Sequence, residues 1–150
     1  MSPALTAFSV TAGPAPNQTV ALTVRPARWT SGARPVLYAS EHAAAALLEY
    51  RAHLQSSPTE DLKLVQLLLP ECEVDEFELG EHLPWRERPY REDVQTLGDT
   101  WLARSHTLVA RVPSSLIPHE YNLLINPEHP LFAQVQYAPS LPFRLDQRLG

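Results

Sequence analysis

The chain has 150 residues, of which 44% are hydrophobic, and this is enough for one domain that buries a sizeable core. Its formal net charge is −5, with one lysine among twelve basic residues, which excludes the broad basic surface needed to bind a nucleic acid directly. The lone Cys72 excludes an intrachain disulfide, and no apolar run reaches the roughly 20 residues that cross a bilayer.

The N-terminal part of the chain is expected to be a lead-in. Residues 1–17 are rich in Ala, Ser, Thr and Pro and show no periodicity, which favours an irregular tail. They carry neither the basic region nor the apolar run of a signal peptide, so we expect a cytoplasmic protein. Residues 18–24, QTVALTV, predict a first strand. The expected organisation is a lead-in at residues 1–24 and a single globular domain at residues 25–150.

A strand and a helix are predicted next. A turn at residues 30–34 is followed by PVLYA, an apolar run of strand length. Ser40 is suited to cap the N-terminus of a helix over residues 41–54, which ends before Ser56-Ser57-Pro58. This helix carries Glu49 on a face that it shares with alanines and leucines. A carboxylate there is either exposed or has a functional role, because burial without a partner costs several kcal/mol.

The middle of the chain changes from apolar to acidic. Residues 61–70, DLKLVQLLLP, predict a leucine-rich strand, although the same pattern also fits a short helix. Residues 71–79, ECEVDEFEL, alternate acidic and apolar side chains, which is typical of a solvated edge strand or an extended loop.

The second half predicts one helix followed by several strands. The turn-like LPWRERPY precedes a helix over residues 92–105, whose apolar side chains recur at helical spacing. These side chains are Val94, Leu97, Trp101 and Leu102. TLVARVP, YNLLINP and VQYAP then predict strands, with SSLIP as a sharp turn after the first. The pattern indicates an α+β fold with a mostly antiparallel sheet.

Common catalytic and cofactor motifs are absent from the sequence. The five glycines are scattered, so neither GxGxxG nor the phosphate-binding loop GxxxxGK[ST] can be written. There is no HExxH, and Glu49 with His53, one helical turn apart, offers two ligands where a zinc site needs about three or four. We therefore expect no metal. Ser114 lacks the GxSxG elbow, and the carboxylates around Cys72 disfavour a reactive thiolate.

Six segments together resemble one family. They are RWTSGARPVLYAS at residues 28–40, AAAALLEYRAHL at 43–54, GDTWL at 98–102, RVPSSLIP at 111–118, YNLLINPEHPLF at 121–132 and PFRLDQRL at 142–149. In this order they resemble the RES-domain proteins, the toxins of RES–Xre toxin–antitoxin pairs. The resemblance covers about residues 25–149. It implies an ADP-ribosyltransferase-like core of mostly antiparallel strands with flanking helices.

The resemblance also implies an activity and its residues. The arginine, glutamate and serine that name the family fall on Arg28, Glu49 and Ser114, with Tyr38 as a fourth catalytic position. Members are thought to destroy NAD by cleaving its nicotinamide–ribose bond, while some transfer ADP-ribose to a protein. NAD is thus the implied substrate. Arg25 and Arg34 are alternatives for the arginine, because Pro-Ala replaces the family's usual glycine-rich approach.

The chemistry of NAD cleavage suits these four side chains. The ribose becomes oxocarbenium-like as nicotinamide leaves, so a fixed anion such as Glu49 lowers the barrier. Arg28 can grip the pyrophosphate with its planar fork, which no glycine-rich loop supplies here. Tyr38 can stack on nicotinamide, and Ser114 can bond either the substrate or Glu49. Arg28, Tyr38 and Ser114 are therefore also the expected NAD-binding residues.

Several interpretations stay open at this point. The expected activity is NAD hydrolysis or phosphorolysis, with transfer of ADP-ribose to a protein, or a catalytically degenerate binding module, as alternatives. Asn122 and Asn126 also match the family, but they fit structural amides equally well, and Asp99 with Trp101 fits helix packing. The resemblance implies an Xre-type helix-turn-helix antitoxin as partner, which would supply the DNA contact. A homodimer within the toxin–antitoxin complex is a further expectation.

Overall fold

The computed structural model describes residues 5–12, 22–53 and 61–149. Within these ranges the strands are β1 (Leu5–Ala12), β2 (Leu37–Ser40), β3 (Leu62–Leu69), β4 (Val74–Glu76), β5 (Val109–Pro113), β6 (Tyr121–Ile125), β7 (Gln136–Tyr137) and β8 (Leu141–Phe143). The helices are α1 (Ala43–His53) and α2 (Glu92–Arg104), together with 3₁₀ helices at Pro130–Gln134 and Gln147–Leu149. None of the helices in these ranges is long and apolar enough to cross a membrane.

The strands form one mixed sheet in the order β4-β5-β6-β2-β1-β3-β7, with β8 also paired to β3. Only the β4–β5 pair is parallel among the described strands; every other pair is antiparallel. The α+β class with a mostly antiparallel sheet is confirmed. The leucine-rich segment is strand β3, and the acidic segment contributes the short edge strand β4, as its solvated pattern predicts.

Strand β1 corrects the expectation of an irregular lead-in. Leu5–Ala12 lies between β2 and β3 and pairs with β3 along its whole length. Ala7 and Val10 are buried, and the weakly apolar sequence is a strand because its neighbours supply the pairing and the packing. The predicted strand at residues 18–24 lies mostly outside the described residues; Thr23 makes an isolated bridge to Val36. The division of the chain at residue 25 stays a prediction.

Both α-helices pack on the same face of the sheet. Ala46 of α1 packs against Val10 and near Phe8, which is the cross-strand partner of Ser40. Tyr38, two residues from Ser40, shares that face and packs against the cluster under α2. The predicted stripe of α2 is confirmed: Val94, Trp101 and Leu102 are buried and Leu97 is partly buried. Each fully buried large apolar side chain contributes about 1.5–3 kcal/mol to folding.

The opposite face of the sheet is covered from the C-terminal half of the chain. Leu131 and Phe132, in the 3₁₀ helix, pack against a core of fully buried sheet residues. The largest of these are Leu37, Leu67, Leu69, Leu123 and Ile125. Because this face is closed, the accessible chemistry of the sheet lies on the helical face.

The start of α1 differs from the prediction. The helix begins at Ala43 rather than residue 41, and Ser40 is not its N-cap. Ser40 is the last residue of β2, and its hydroxyl donates to Oδ1 of Asn122 on the neighbouring strand β6. The Ser40 hydroxyl is therefore engaged by an amide on the neighbouring strand and is not available to cap the helix.

Candidate active site

A cleft of about 630 Å³ opens on the helical face of the sheet. Its floor is formed by β1, β2 and β6, one wall by α1, and the other wall by residues 25–29 together with Arg88 and Tyr90. Ser40 is the register partner of both Phe8 and Asn122, so these three side chains share the floor. A concave site of this volume is large enough for a nucleotide-sized ligand.

Glu49 projects from α1 into this cleft and is half-buried. Its Oε1 accepts hydrogen bonds from Asn122 Nδ2 at 2.9 Å and from Ser114 Oγ at 3.3 Å. No described residue donates to Oε2. The carboxylate is therefore oriented by one oxygen while the other stays available to a ligand.

Ser114 lies behind Glu49 rather than in the cleft wall, and only 5% of it is exposed. Its Oγ accepts from the backbone N–H groups of Leu116 at 3.1 Å and Ile117 at 3.4 Å. A hydroxyl has two acceptor lone pairs and one proton, so these two bonds leave the proton directed at Glu49. Ser114 thus meets the expectation of a Glu49 partner, while a direct bond to substrate stays a prediction.

Arg28 lies on the wall opposite α1. Its NH1 donates to the carbonyl oxygens of Trp85 at 2.7 Å and Glu87 at 3.2 Å, and its guanidinium lies 5.3 Å from the ring centroid of Tyr90. Nε and NH2 have no hydrogen-bond partner among the described residues. Partial burial lowers the pKa of Arg28, and nearby Arg88 lowers it further, while Tyr90 and Glu49 raise it. The side chain is therefore held in place through NH1, while Nε and NH2 remain able to donate to a ligand.

The loop that carries Arg28 is fastened to α2 by the GDTW motif. A Cβ on Gly98 would lie 1.9 Å from the carbonyl oxygen of Trp29, so only glycine permits the observed approach. The next residue, Asp99, accepts a hydrogen bond from the backbone N–H of Ser31 at 2.9 Å. Trp101 is buried one turn further along. The expectation that Asp99 and Trp101 support the packing of this helix agrees with these contacts.

Three arginines line the same side of the cleft. Arg25 and Arg88 join Arg28 there, whereas the alternative Arg34 does not line the cleft and pairs with Glu128 at 3.3 Å. Within the described ranges, none of the three has a carboxylate within 4.0 Å. This end of the cleft is therefore electropositive in a chain that is acidic as a whole.

Tyr38 lines the cleft with its ring, but its hydroxyl is already bonded to Oγ1 of Thr30 at 2.7 Å. Burial raises the pKa of the Tyr38 hydroxyl, so the side chain stays neutral at physiological pH. Stacking against nicotinamide is compatible with this placement and stays a prediction.

Sequence reasoning missed one residue of the site, Asn122. The sequence fits a structural amide at this position equally well, yet Asn122 donates to Glu49, and its match to the family motif is the signal that points to it. Asn126 does fit the structural interpretation, because it is fully buried and donates to Oγ of Ser105. His53 Nδ1 lies 2.6 Å from the backbone oxygen of Glu49, not from its carboxylate. No cluster able to hold a metal ion occurs within the described residues.

Comparisons with known proteins agree on one family. The family model described as the RES domain matches residues 5–146 of the sequence. A Toxin Res of Pseudomonas putida is 35% identical over 107 residues, covering 69% of this chain and 72% of that protein. A Toxin Res of Yersinia enterocolitica is 30% identical over 129 residues, covering 81% and 82%. A protein of Sphingobium named Prs ADP-ribosylating toxin is 32% identical over 108 residues, covering 69% and 67%.

A solved structure is similar in fold. The Mycobacterium tuberculosis MbcT–MbcA toxin–antitoxin complex contains a chain that matches with a TM-score of 0.69 at 17% identity. The match covers 93% of this chain and 84% of that one. The two chains therefore share a fold, in agreement with the α+β core that the resemblance implies.

Proposed function

This chain belongs to the RES domain family, and from that premise we propose that it is a toxin enzyme that cleaves the nicotinamide–ribose bond of NAD. The observation that carries the proposal is the Glu49 carboxylate, which two donors hold at the wall of a cleft whose far side is lined by arginines. The toxin interpretation is supported by the names of the relatives. The proposed place of action is the cytoplasm.

Glu49 would act on the charge that develops during bond cleavage. The electron pair of the glycosidic bond leaves with nicotinamide, and C1′ of the ribose becomes electron-poor. Glu49 lines the cleft, and its Oε2, to which no described residue donates, would stabilise that positive charge or accept a hydrogen bond from a ribose hydroxyl. A preorganised group of this kind typically contributes about 10²–10³ in rate.

The arginine-lined side of the cleft suits the diphosphate of NAD. Arg28 presents Nε and NH2 as a parallel pair of donors, the arrangement that binds phosphate oxygens bidentately. Arg25 and Arg88 add positive charge, and no carboxylate of the described residues lies within 4.0 Å of either. With the diphosphate on this side, nicotinamide ribose would face Glu49 across the cleft, and the Tyr38 ring would lie against nicotinamide.

Release of nicotinamide by the purified full-length protein tests the proposal. NMR of the nicotinamide ring protons should show steady release from NAD, and Glu49→Gln should slow it about 10²–10³-fold. Glu81→Gln, at an exposed turn outside the cleft, is the matched control and should retain the wild-type rate. No release above the Glu49→Gln rate would reject the enzyme and favour a binding module.

The acceptor of ADP-ribose separates two candidate activities. Hydrolysis or phosphorolysis would form a small ADP-ribose product, whereas transferase activity would form a bond between C1′ and a protein side chain. The second candidate is favoured by the name of the Sphingobium relative. Mass spectrometry of a cell extract incubated with the enzyme decides: falling NAD with an unmodified proteome supports hydrolysis or phosphorolysis, and an ADP-ribose mass on a protein supports transfer.

The proposed partner is an Xre-type helix-turn-helix antitoxin. Support comes from the solved MbcT–MbcA structure, which is a toxin–antitoxin complex. The net charge of −5 gives this chain no excess of basic residues with which to attract DNA, and the antitoxin would supply that contact. Co-expression with an adjacent helix-turn-helix reading frame should give a stable complex in which nicotinamide release is suppressed. The mass of this complex by light scattering would also test the proposed homodimer.

A further inference from the structure

Ser40, Asn122 and Glu49 are joined in a chain of two hydrogen bonds. The Ser40 hydroxyl donates to Asn122 Oδ1 at 2.8 Å, and Asn122 Nδ2 donates to Glu49 Oε1 at 2.9 Å. The first two residues come from the sheet and the third from α1. These two hydrogen bonds therefore link the position of the carboxylate to the register of two strands.

The chemistry of the groups determines which one donates and which one accepts in these two hydrogen bonds. An ionised carboxylate can only accept, so the amide group that faces Glu49 must be the NH₂ of Asn122. The carbonyl oxygen of Asn122 then faces Ser40 and can only accept, so the serine hydroxyl must donate. The carboxylate of Glu49 thus fixes which end of Asn122 it meets, and the hydroxyl of Ser40 adapts by donating to the other end. If Ser40 lost its hydroxyl, Asn122 would lose the second bond that holds its side chain in place.

The two sheet residues are rigidly held. Ser40 and Asn122 are direct partners across the β2–β6 pair, and Asn122 is also the partner of Val112 in β5. Their neighbours Ala39 and Leu123 are buried in the closed face of the sheet, and Ser40 itself is 3% exposed. Burying a hydroxyl is unfavourable unless it is hydrogen-bonded, so the Asn122 contact also accounts for a serine at this position.

We propose that Ser40 and Asn122 are positioning residues that orient the Glu49 carboxylate for reaction. This inference rests on the proposed function of Glu49. Both bonds to Oε1 come from side chains outside α1, so the helix places the carboxylate in the cleft and the sheet sets its rotation. Without the pair, Ser114 alone would hold Oε1, and Oε2 would lose its fixed direction toward the substrate.

A double-mutant cycle tests the pair. Asn122→Ala should lower kcat for nicotinamide release about 10-fold to 100-fold, and Ser40→Ala should lower it by a smaller factor of about 3–10, because Asn122 then keeps its bond to Glu49 but loses the bond that steadies it. KM for NAD should change less than about twofold, since neither residue is assigned a contact with substrate. The double variant should be no slower than Asn122→Ala, because Ser40 acts through Asn122. Losses that multiply would overturn the proposal.

Two further variants guard against a purely structural effect. Ser40→Thr keeps the hydroxyl and should be more active than Ser40→Ala. An equal loss of kcat in the two variants would contradict a role for the Ser40 hydroxyl. Asn122→Asp has the same shape and still accepts from Ser40, but it cannot donate to Glu49, and it should be at least as slow as Asn122→Ala. Thermal unfolding of each variant, compared with its kcat, separates loss of fold from loss of orientation.

The hydrogen bonds can also be observed without turnover. The side-chain ¹⁵N–¹H₂ signals of Asn122, assigned by their absence in Asn122→Asp, should shift in Ser40→Ala and in Glu49→Gln. If wild type releases no nicotinamide, the proposed function fails, but these shifts still show whether the two hydrogen bonds are present. If wild type is active and the Asn122 signals are insensitive to both substitutions, the positioning inference fails alone.

Discussion

Ser114 Oγ lies 3.3 Å from Glu49 Oε1, although 65 positions separate these residues in the chain. The contact joins α1 to the turn that follows β5, and backbone donors in that turn direct the serine proton at the carboxylate. The arginine, glutamate and serine of the family are thus arranged in two parts. Glu49 and Ser114 form one unit, and Arg28 faces them across the cleft.

Replacing Ser114 by alanine should affect both stability and activity. The variant loses the donor to Glu49 and removes the acceptor of two part-buried backbone N–H groups, and the lost bonds together cost about 1–3 kcal/mol of unfolding free energy. NAD cleavage should fall about 10-fold or more because the carboxylate is less well oriented. Ser115→Ala is the matched control, since Ser115 is the adjacent residue and lines the cleft. Denaturant unfolding and nicotinamide release measure the two effects; equal behaviour of both variants would contradict this role.

Exchanging Arg28 for lysine should weaken NAD binding while preserving the charge. An ammonium cannot donate to the carbonyls of Trp85 and Glu87 and also present two parallel donors to a diphosphate. We expect KM for NAD to rise about tenfold, corresponding to about 1.4 kcal/mol. The measurement is the dependence of nicotinamide release on NAD concentration. An unchanged KM would show that Arg28 does not bind the substrate through its fork.

Removing the charge of Arg88 should raise KM for NAD by a smaller factor of about 2–5, with an effect that fades as salt is added. Arg88 lines the cleft without a carboxylate partner within the described residues. Arg86→Ala is the control, because Arg86 lies 4.2 Å from the Trp85 ring centroid and does not line the cleft. Equal KM values for the two variants would mean that charge near the cleft, rather than in it, decides binding.

A methyl group at Gly98 should displace the loop that carries Arg28. Gly98→Ala would place Cβ within 1.9 Å of the Trp29 carbonyl oxygen, which is backbone and cannot rotate away. Overpacking of this kind costs about 1–3 kcal/mol of unfolding free energy. Thr100→Ala, at an exposed position of the same helix, should change stability by less than about 0.5 kcal/mol. Wild-type stability and wild-type KM in Gly98→Ala would contradict the fastening of this loop by α2.

The buried hydroxyl of Tyr38 should make the protein less stable in alkali. Burial raises its folded pKa above the value in the unfolded chain, so the folded state keeps a proton that the unfolded state releases. The stabilisation is complete below the unfolded pKa, near pH 10, and is lost as pH rises beyond it. Unfolding free energy should fall less steeply between about pH 9 and about pH 11 in Tyr38→Phe than in wild type. Parallel curves for the two proteins would refute this assignment.

Much of the architecture could be predicted because it depends on local periodicity. The apolar stripe of α2 recurs at helical spacing, and its predicted members Val94, Trp101 and Leu102 are buried. YNLLINP gave strand β6 for the same reason, since a short apolar run between turns is a local signal. Resemblance to a family, rather than periodicity, marked Arg28, Glu49 and Ser114 as a set. The structure places Arg28 and Glu49 in one cleft and Ser114 behind Glu49, in contact with its carboxylate.

The sequence by itself determined the class of fold, the two helices and the residue types available for chemistry. Only the tertiary structure decided that Leu5–Ala12 is an inner strand, that Ser40 serves Asn122 rather than the helix, and that Asn122 holds Glu49. The physical reason is the range of the interactions. A helical stripe is complete within one segment, whereas strand β1 needs pairing partners from distant parts of the chain. The side-chain hydrogen bonds of the site likewise join residues 65 to 82 positions apart.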